Sequence, residues 1–273
     1  MPRIAAIQTT SGDEVDRNLA QAAGYVESAA AEGAQLVVLP ECFALMPKTP
    51  QQLRACAEIH GAGKIQDFLK DLTRRTGLWI VAGTLPLRGD ADDRRTFNSL
   101  LVYDDRGANV ARYDKIHLFD VELPGGERHR ESDYTLPGSR WVVRDTPVGM
   151  LGLTVCYDLR FPELYRKLSA LGATCMVVPS AFTVSTGAAH WMPLLRARAI
   201  ENCCHIIAPA QVGHHSSGRR TYGHSVIIDP WGEVLAERAN DAGVLYADID
   251  HDKLERIRAQ MPSLAHRRAD LFP

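Results

Sequence analysis

The segment from Gly149 to Lys167 constrains the fold more than any other part of the chain. It begins with an apolar run, reaches a single thiol at Cys156, and continues as a polar, helix-like stretch with Pro162 near its first turn. This pattern predicts a buried strand, a sharp turn and a helix. Ligands of open α/β sheets bind at the carboxyl ends of strands, and helical N–H groups favour a thiolate, so Cys156 lies where a nucleophile would lie. The alternative is a small buried side chain that only fills space.

Short apolar runs alternate with helical periodicity along the rest of the chain. The predicted strands are 4–7, 36–39, 78–85, 99–103, 109–113, 141–143, 150–155, 175–179, 205–210, 225–229 and 244–249. The predicted helices are 13–31, 63–76, 163–171, 188–202 and 252–260. Residues 115–138 follow neither period and predict a long functional or mobile loop. Strand–helix alternation followed by hairpins predicts an α/β fold, with a mixed sheet covered by helices, in one domain.

Composition excludes several classes of partner and location. The formal net charge is −2 over 273 residues, so no nucleic acid or anionic membrane is expected to bind. The amino terminus lacks the apolar core of a signal peptide, and no apolar run approaches the ~20 residues that span a bilayer. The six cysteines show no CxxC pair or regular spacing, which predicts free thiols in the cytoplasm.

Three chemically useful groups follow predicted strands. Glu41 follows the LVVLP run, Lys115 lies in YDKIHLF after the hairpin, and Cys156 follows GMLGLTV. A thiol to attack a carbonyl, a carboxylate to move protons and a fixed cation to face the oxyanion together suit acyl transfer. The alternative for Glu41 and Lys115 is an ordinary ion pair on a solvated surface.

These segments resemble the nitrilase, or carbon–nitrogen hydrolase, superfamily, whose Glu–Lys–Cys triad lies in segments like LPECF, YDKIHLFD and LTVCYDLRFPELYR. The resemblance extends from Ile4 to Leu271. It is strongest to the amidase branch that includes deaminated-glutathione amidase and ω-amidase. The segments that narrow it are HLFDVELPGGERHRESDYTLPG, PSAFTVSTGAAHWMPLLRARAIEN, YGHSVIIDPWG and MPSLAHRRADLF.

The resemblance implies one carbon–nitrogen hydrolase domain over residues 1–273, folded as a four-layer αββα sandwich. It implies that Cys156 is the nucleophile, Glu41 the general base and acid, and Lys115 the electrostatic stabiliser. No metal or organic cofactor is required.

Two further site residues are implied by the same comparison. The family's second glutamate, which positions the lysine or the substrate amide, falls at Glu131, with Glu127 in the same loop as the rival position. The backbone N–H of Tyr157 is the expected second donor to the oxyanion.

The expected substrate is a small molecule with a terminal amide and a carboxylate, such as deaminated glutathione or an α-keto acid monoamide. Arg160 is the nearest cation in sequence to Cys156 and is the first candidate to bind that carboxylate. Phe182 and Thr183 are expected to line the pocket. The further candidate cations are Arg128, Arg130, Arg219 and Arg220. A homodimer is expected, and the helix containing LLRARAIEN could form its interface.

Other functions stay open from the sequence. Within the superfamily, the alternatives are an N-carbamoyl amino acid amidohydrolase and a nitrilase. A papain-like protease would pair Cys156 with a histidine such as His224, but no CGxC-type signature surrounds the cysteine. A thiol sensor or binding scaffold without turnover is the alternative from another class. His214 and His215 lie in a polar stretch that predicts an exposed turn.

Overall fold

The computed structural model of the protein describes residues 1–89, 94–123, 126–268 and 270–271. Positions 124, 125, 269 and 272 of the segments that carry the resemblance lie outside these residues. The helices of the described ranges are α1 (Val15–Ala31), α2 (Pro50–Cys56), α3 (Lys64–Thr76), α4 (Pro162–Ala170), α5 (Val184–Asn202) and α6 (His251–Gln260). Single 3₁₀ turns cover Glu131–Asp133 and Cys156–Arg160. None of the described helices is both long and apolar enough to cross a membrane.

The strands are short, and most are buried. Those of the first half are β1 (Arg3–Gln8), β2 (Leu36–Val38), β3 (Trp79–Val81), β4 (Leu85–Arg88), β5 (Thr96–Tyr103), β6 (Asn109–Asp114), β7 (Asp120–Glu122), β8 (Arg128–Arg130) and β9 (Thr135–Leu136). Those of the second half are β10 (Val143–Thr146), β11 (Gly149–Leu153), β12 (Cys175–Val177), β13 (His205–Ala208), β14 (Val212–His214), β15 (Arg220–Tyr222), β16 (Ser225–Ile228), β17 (Val234–Arg238) and β18 (Gly243–Asp248).

Two mixed sheets form the centre of the described molecule. One has the order β18-β1-β2-β3-β5-β4, with β6 and β9 also paired to β5, and the other has the order β10-β11-β12-β13-β16-β17. The first contains the parallel strands β1, β2 and β3, and the second contains the parallel strands β11, β12 and β13. Antiparallel pairs complete both sheets.

The layers follow from the alternation of side chains along β1. Ile4 and Ala6 pack into the core shared with the second sheet, whereas Ala5 and Ile7 pack into the core beneath α1 and α3. Both faces of the strand are buried, which explains why RIAAIQ is apolar almost throughout. On the far side of the second sheet, α4 packs on β11 and α5 packs on β13 and β16. The predicted four-layer αββα sandwich is confirmed.

The predicted strand 78–85 is wrong in one respect, because it is broken into β3 and β4. Between them, Gly83 has a φ of +46°, and a Cβ at this position would lie 1.9 Å from the carbonyl oxygen of Pro40. Only glycine lets the two segments pass this closely. The break also brings the Thr84 hydroxyl within 2.9 Å of the Cys42 N–H, next to Glu41.

Other boundaries also differ from the sequence-based prediction. The strand expected at 141–143 begins only at Val143, as β10. Trp141 lies outside it and is exposed, and the Nζ of Lys167 lies 4.6 Å from the centre of its ring. Helix α5 starts four residues early, at Val184, and runs through Pro193. The segment 115–138 contains β7, β8, β9 and a 3₁₀ turn rather than an irregular loop. Apolar periodicity does not predict α2, β14, β15 or β17, which are short or contain many polar residues.

Candidate active site

Cys156 lies where the chain leaves β11 and enters the 3₁₀ turn Cys156–Arg160. Its φ is +51°, a left-handed conformation that is uncommon for a residue with a side chain and costs energy to hold. Its N–H donates to the Pro179 carbonyl at 3.0 Å, which ties it to the segment after β12. The residue is 7% exposed and lines a cavity.

Glu41 follows β2 and is buried in the same cavity. Its Oε1 accepts hydrogen bonds from Lys115 Nζ at 3.2 Å and from Asn98 Nδ2 at 3.0 Å. Its Oε2 accepts from the Ala181 N–H at 2.9 Å, and Cys156 lines the same cavity. The carboxylate is thus fixed from several sides, and the Cys156 thiol is near enough to act on its charge.

Lys115 follows β6 and is 2% exposed. Its Nζ lies 2.8 Å from Glu131 Oε2, 3.1 Å from Glu131 Oε1 and 3.2 Å from Glu41 Oε1. Burial lowers the pKa of Lys115, but the charges of Glu131 and Glu41 outweigh it, so the pKa is raised well above its ordinary value. The ammonium therefore stays charged and has a fixed position.

Of the two glutamates considered in the long loop, the structure brings Glu131 to Lys115. Glu131 is buried in its 3₁₀ turn and also accepts from the Phe119 N–H at 2.7 Å. Glu127 is exposed, lies on the outer wall of the cavity, and contacts His129 Nε2 at 2.8 Å instead. Glu41, Lys115, Glu131 and Cys156 are called the cavity floor below.

Asp158 joins the segment containing Lys115 to the segment containing Cys156. Its buried carboxylate accepts from Tyr113 Oη at 2.7 Å, from the His117 N–H at 3.1 Å and from the Val155 N–H at 2.9 Å. His117 Nδ1 is a further contact, at 2.7 Å. Tyr113 and His117 flank the lysine, and Val155 precedes the cysteine, so one carboxylate fixes both segments.

The resting state of Cys156 differs from the sequence-based expectation. Helical N–H groups were expected to favour a thiolate, yet the pKa of Cys156 is raised well above its ordinary value. Burial is the largest cause, and the negative charge of Glu41 adds to it, while Lys115 opposes it. The sulfur therefore rests as a thiol that can give its proton to Glu41.

Burial raises the pKa of Glu41, but the positive charge of Lys115, the hydrogen bond from Cys156 and the charge of Arg219 together outweigh it. The pKa of Glu41 is therefore lowered overall. A deprotonated carboxylate near a protonated thiol is the arrangement that general-base activation of a nucleophile requires.

The cavity above the floor has a volume of about 560 Å³, within the range of small-molecule sites. Its wall contains Phe182 and Thr183, which were predicted to line the pocket, and also Tyr157 and Arg160, the predicted oxyanion donor and substrate-binding cation. The Arg160 guanidinium carbon lies 5.7 Å from the Tyr157 ring centre and 5.5 Å from that of Phe182, and Arg160 Nη1 lies 3.2 Å from His190 Nδ1. These rings hold the cation at the wall.

Two of the other four candidate arginines line the cavity and two do not. Arg128 lines the cavity, but its exposed side chain pairs with Glu122 at 2.9 Å. Arg219 lines the cavity from a half-buried position. Arg130 and Arg220 are exposed and are not among the residues that line it. Lys48, Arg128 and Arg160 are called the cavity rim below.

The structure rules out one alternative for a histidine and corrects one expectation about another. His224 does not line the cavity, and its Nδ1 contacts Glu237 at 2.8 Å, so a papain-like pair with Cys156 is not formed. His215 is buried rather than exposed, with Nδ1 2.8 Å from the Ser11 carbonyl and Nε2 2.7 Å from Thr221 Oγ1. Within the described residues, no three His, Cys, Asp or Glu side chains are grouped as a metal site needs.

Sequence reasoning missed three groups that hold the floor together: Asn98, Asp158 and the Ala181 N–H. Asn98 gave a weak signal, because it is a polar residue inside the apolar strand β5. The Ala181 N–H belongs to the backbone, and nothing in the sequence marks it. Asp158 lies two residues after the cysteine and resembled an ordinary polar residue at a helix start.

An αββα sandwich with a buried thiol, carboxylate and ammonium around a small-molecule cavity defines a class of thiol-containing hydrolases. The family model for carbon–nitrogen hydrolases matches residues 3–259, and this chain belongs to that family. The predictions of the superfamily and of a hydrolase acting on carbon–nitrogen bonds are confirmed.

Three individual proteins show how close the similarity is. The deaminated glutathione amidase of Synechocystis sp. is 43% identical over 265 residues, which cover 96% of this chain and 97% of that protein. The crystal structure of the Caenorhabditis elegans NitFhit protein superposes with a TM-score of 0.93 at 38% identity, covering 100% of this chain and 66% of that one. An amidase from Nesterenkonia sp. AN1, with acrylamide added at its active-site cysteine, has a TM-score of 0.80 at 28% identity, covering 96% and 98% of the two chains.

Proposed function

We propose that this protein is a thiol-dependent amidase that cleaves an amide bond of a small, carboxylate-bearing substrate through a thioester on Cys156. The observation that carries the proposal is the convergence of the floor. Lys115 and Glu41 are 74 positions apart, yet they are in contact, and Cys156 lines the same cavity near the Glu41 carboxylate. Such a set supports acyl transfer.

The proposed cycle assigns one role to each group. The Cys156 thiol gives its proton to Glu41 as the sulfur attacks the amide carbonyl. The tetrahedral oxyanion is stabilised by the Lys115 ammonium and the Tyr157 N–H. Glu131 holds Lys115 in place, which is consistent with its contacts at 2.8 and 3.1 Å.

The intermediate then collapses in two steps. Glu41 returns the proton to the leaving nitrogen, the C–N bond breaks, and the amine departs from a Cys156 thioester. Water next attacks the thioester carbonyl while Glu41 takes its proton. The C–S bond breaks, the free acid leaves, and the sulfur regains the proton from Glu41.

Deaminated glutathione is the leading substrate, and an α-keto acid monoamide is the next. The first carries a carboxylate at each end and a 2-oxo group, and the Synechocystis relative bears the name of an amidase for it. Arg160 suits one carboxylate because it lies in the cavity wall and contacts aromatic rings and His190 rather than an acidic group. Phe182 and Thr183 would contact the carbon chain.

The single domain over 1–273, the homodimer and the cytoplasmic location belong to the same proposal. The free cysteines of the described chain support a reducing compartment. A dimer is supported by the exposed apolar side chains of Ile200, Trp231, Val234 and Leu235, since Ile200 on α5 lies against the turn after Trp231. Light scattering of the wild type and of Ile200→Glu tests this, and a monomeric wild type would contradict it.

The amidase activity is tested by measuring amine release from a panel containing deaminated glutathione, 2-oxoglutaramate, an N-carbamoyl amino acid and a nitrile. The wild type should act on the first two, and mass spectrometry of quenched protein should find the acyl group on Cys156. Cys156→Ala should lose all activity. Cys56→Ala is the matched control, because this thiol does not line the cavity, and its activity should be unchanged. Equal rates for the wild type and Cys156→Ala would reject the amidase.

A further inference from the structure

Arg219 occupies an unusual position beside the cavity floor. It ends the turn between β14 and β15, lines the cavity, and is half-buried. Its Nη2 donates to the Ala181 carbonyl at 2.5 Å, and the Ala181 N–H donates to Glu41 Oε2 at 2.9 Å. One residue of backbone therefore links the guanidinium to the carboxylate that contacts Cys156.

The charges of the floor do not balance without this arginine. Two carboxylates, Glu41 and Glu131, surround the single ammonium of Lys115 and leave one negative charge in a buried site. Burying an uncompensated charge is costly, so a second cation is needed nearby. Arg219 supplies it, and its attraction to Glu41 is the largest favourable interaction on its charge.

The groups around Glu41 come from several segments. The charged and titratable groups that face this part of the cavity are Lys115, Glu131, Arg219, Cys42, Tyr134 and Cys156. Burial raises the pKa of Cys42 and that of Tyr134 to about 12, so both stay neutral. Arg219 and Lys115 are therefore the two cations that act on Glu41 among the described residues.

The turn that contains Arg219 is anchored by hydrogen bonds of the buried His215. The buried His215 donates from its backbone N–H to the Arg219 carbonyl at 2.9 Å, and its ring is held by the Ser11 carbonyl and the Thr221 hydroxyl. The Nε of Arg219 has no hydrogen-bond partner among the described residues. The bond to Ala181 is therefore the one that orients the guanidinium.

We infer that Arg219 is a positioning residue that keeps Glu41 ionised and correctly oriented as the proton acceptor for Cys156, acting through the Ala181 peptide and through its own charge. The inferred role of Arg219 rests on the proposed function. It differs from the binding of a substrate carboxylate, which is the role that the sequence suggested for Arg219. The positive charge near Glu41 also contributes to the lowered pKa of that carboxyl.

The test compares three substitutions that separate charge from hydrogen bonding. Arg219→Lys keeps the charge, Arg219→Gln keeps a donor for Ala181 without the charge, and Arg219→Met keeps neither. Folding is checked by thermal melting. If Arg219→Met fails to fold, the lysine and glutamine variants still differ mainly in charge.

The first readout is alkylation of Cys156 by iodoacetamide as a function of pH, followed by mass spectrometry. In this reaction the S–C bond forms, the C–I bond breaks, iodide leaves and Glu41 takes the thiol proton. The acid limb is the part of the profile in which the alkylation rate rises with pH as Glu41 loses its proton. In Arg219→Gln and Arg219→Met this limb should move up by about one pH unit, because loss of a nearby cation raises the pKa of Glu41. Arg219→Lys should keep the wild-type limb. Identical limbs for the glutamine and lysine variants would overturn the inference, as would a Cys156 that never reacts.

The second readout is the split between kcat and KM with deaminated glutathione. The inference predicts that kcat falls about tenfold or more in Arg219→Gln while KM changes little. A rise in KM with kcat and the alkylation limb unchanged would overturn it in favour of a carboxylate-binding role. If the wild type hydrolyses no amide but the alkylation limb shifts as expected, the proposed function fails while the role of Arg219 stands.

Discussion

The cavity floor and the cavity rim use charge in opposite ways. On the floor, Lys115 is 2% exposed and lies within 3.2 Å of two carboxylates, which hold its ammonium in a fixed position. On the rim, Lys48 pairs with Asp13 and Arg128 pairs with Glu122, with side chains that are 48% and 61% exposed. Removing one member of a buried group of charges is strongly destabilising, because the remaining charges are left unpaired. Surface ion pairs are screened by solvent and contribute little to stability. The floor is therefore suited to chemistry and the rim to recognition.

The largest effect should come from breaking the floor at Lys115. Lys115→Met leaves Glu41 and Glu131 facing each other without their shared cation. We expect kcat to fall by about 100-fold or more and the free energy of unfolding to fall by about 3–5 kcal/mol. Steady-state kinetics and urea denaturation measure the two. Lys48→Met on the rim is the control, and an equal loss there would contradict the distinction between floor and rim.

A buried ionisable group without the floor's compensating charges should make the free energy of unfolding depend on pH. Burial lowers the pKa of His205 to about 4, and the nearby Asp229 only partly opposes it. Its folded pKa is below its unfolded value of about 6.5, so its stabilising contribution is complete above that pH and is lost as the pH falls toward 4.

Between pH 7 and pH 5 this group should cost about 2 kcal/mol of the free energy of unfolding. Denaturant titrations at the two pH values measure the loss, and the difference between the wild type and His205→Asn isolates the contribution of this residue. A variant that loses as much stability in acid as the wild type would refute the assignment.

Arg160 tests the rim as a recognition surface. Arg160→Met keeps a long apolar side chain against Tyr157 and Phe182 but removes the charge. We expect KM for a carboxylate-bearing amide to rise about tenfold while kcat and stability change little, because a substrate contact is lost. Kinetics with deaminated glutathione measure the effect. A fall in kcat at unchanged KM would place Arg160 with the floor.

The smallest effect should come from Arg128. It lines the cavity, but its exposed guanidinium already pairs with Glu122. Arg128→Gln should change the free energy of unfolding by less than about 1 kcal/mol and should leave KM within about twofold of the wild type. Thermal melting and kinetics check both values. A large rise in KM would make Arg128, rather than Arg160, the substrate-binding cation.

Much of the fold could be predicted from local pattern. The alternation of apolar runs and helical periods located β1, α1, α3, β11 and α4 to within a few residues, because buried strands and amphipathic helices have distinct spacing. The prediction of a single strand at 78–85 was wrong, because the strand is broken at Gly83. The break depends on the close approach of the Pro40 carbonyl, which is distant in sequence. The three-residue strands β14 and β15 have too few positions to show a period.

The sequence by itself determined the residue types that could do the chemistry and, through resemblance, which of them to consider together. Only the tertiary structure decided that Glu131 and not Glu127 reaches Lys115, that Asp158 joins two segments, and that Cys156 rests as a thiol. Distances and burial depend on how separate strands pack, and a linear pattern contains neither. A pKa depends on both, because desolvation and neighbouring charges act through space rather than along the chain.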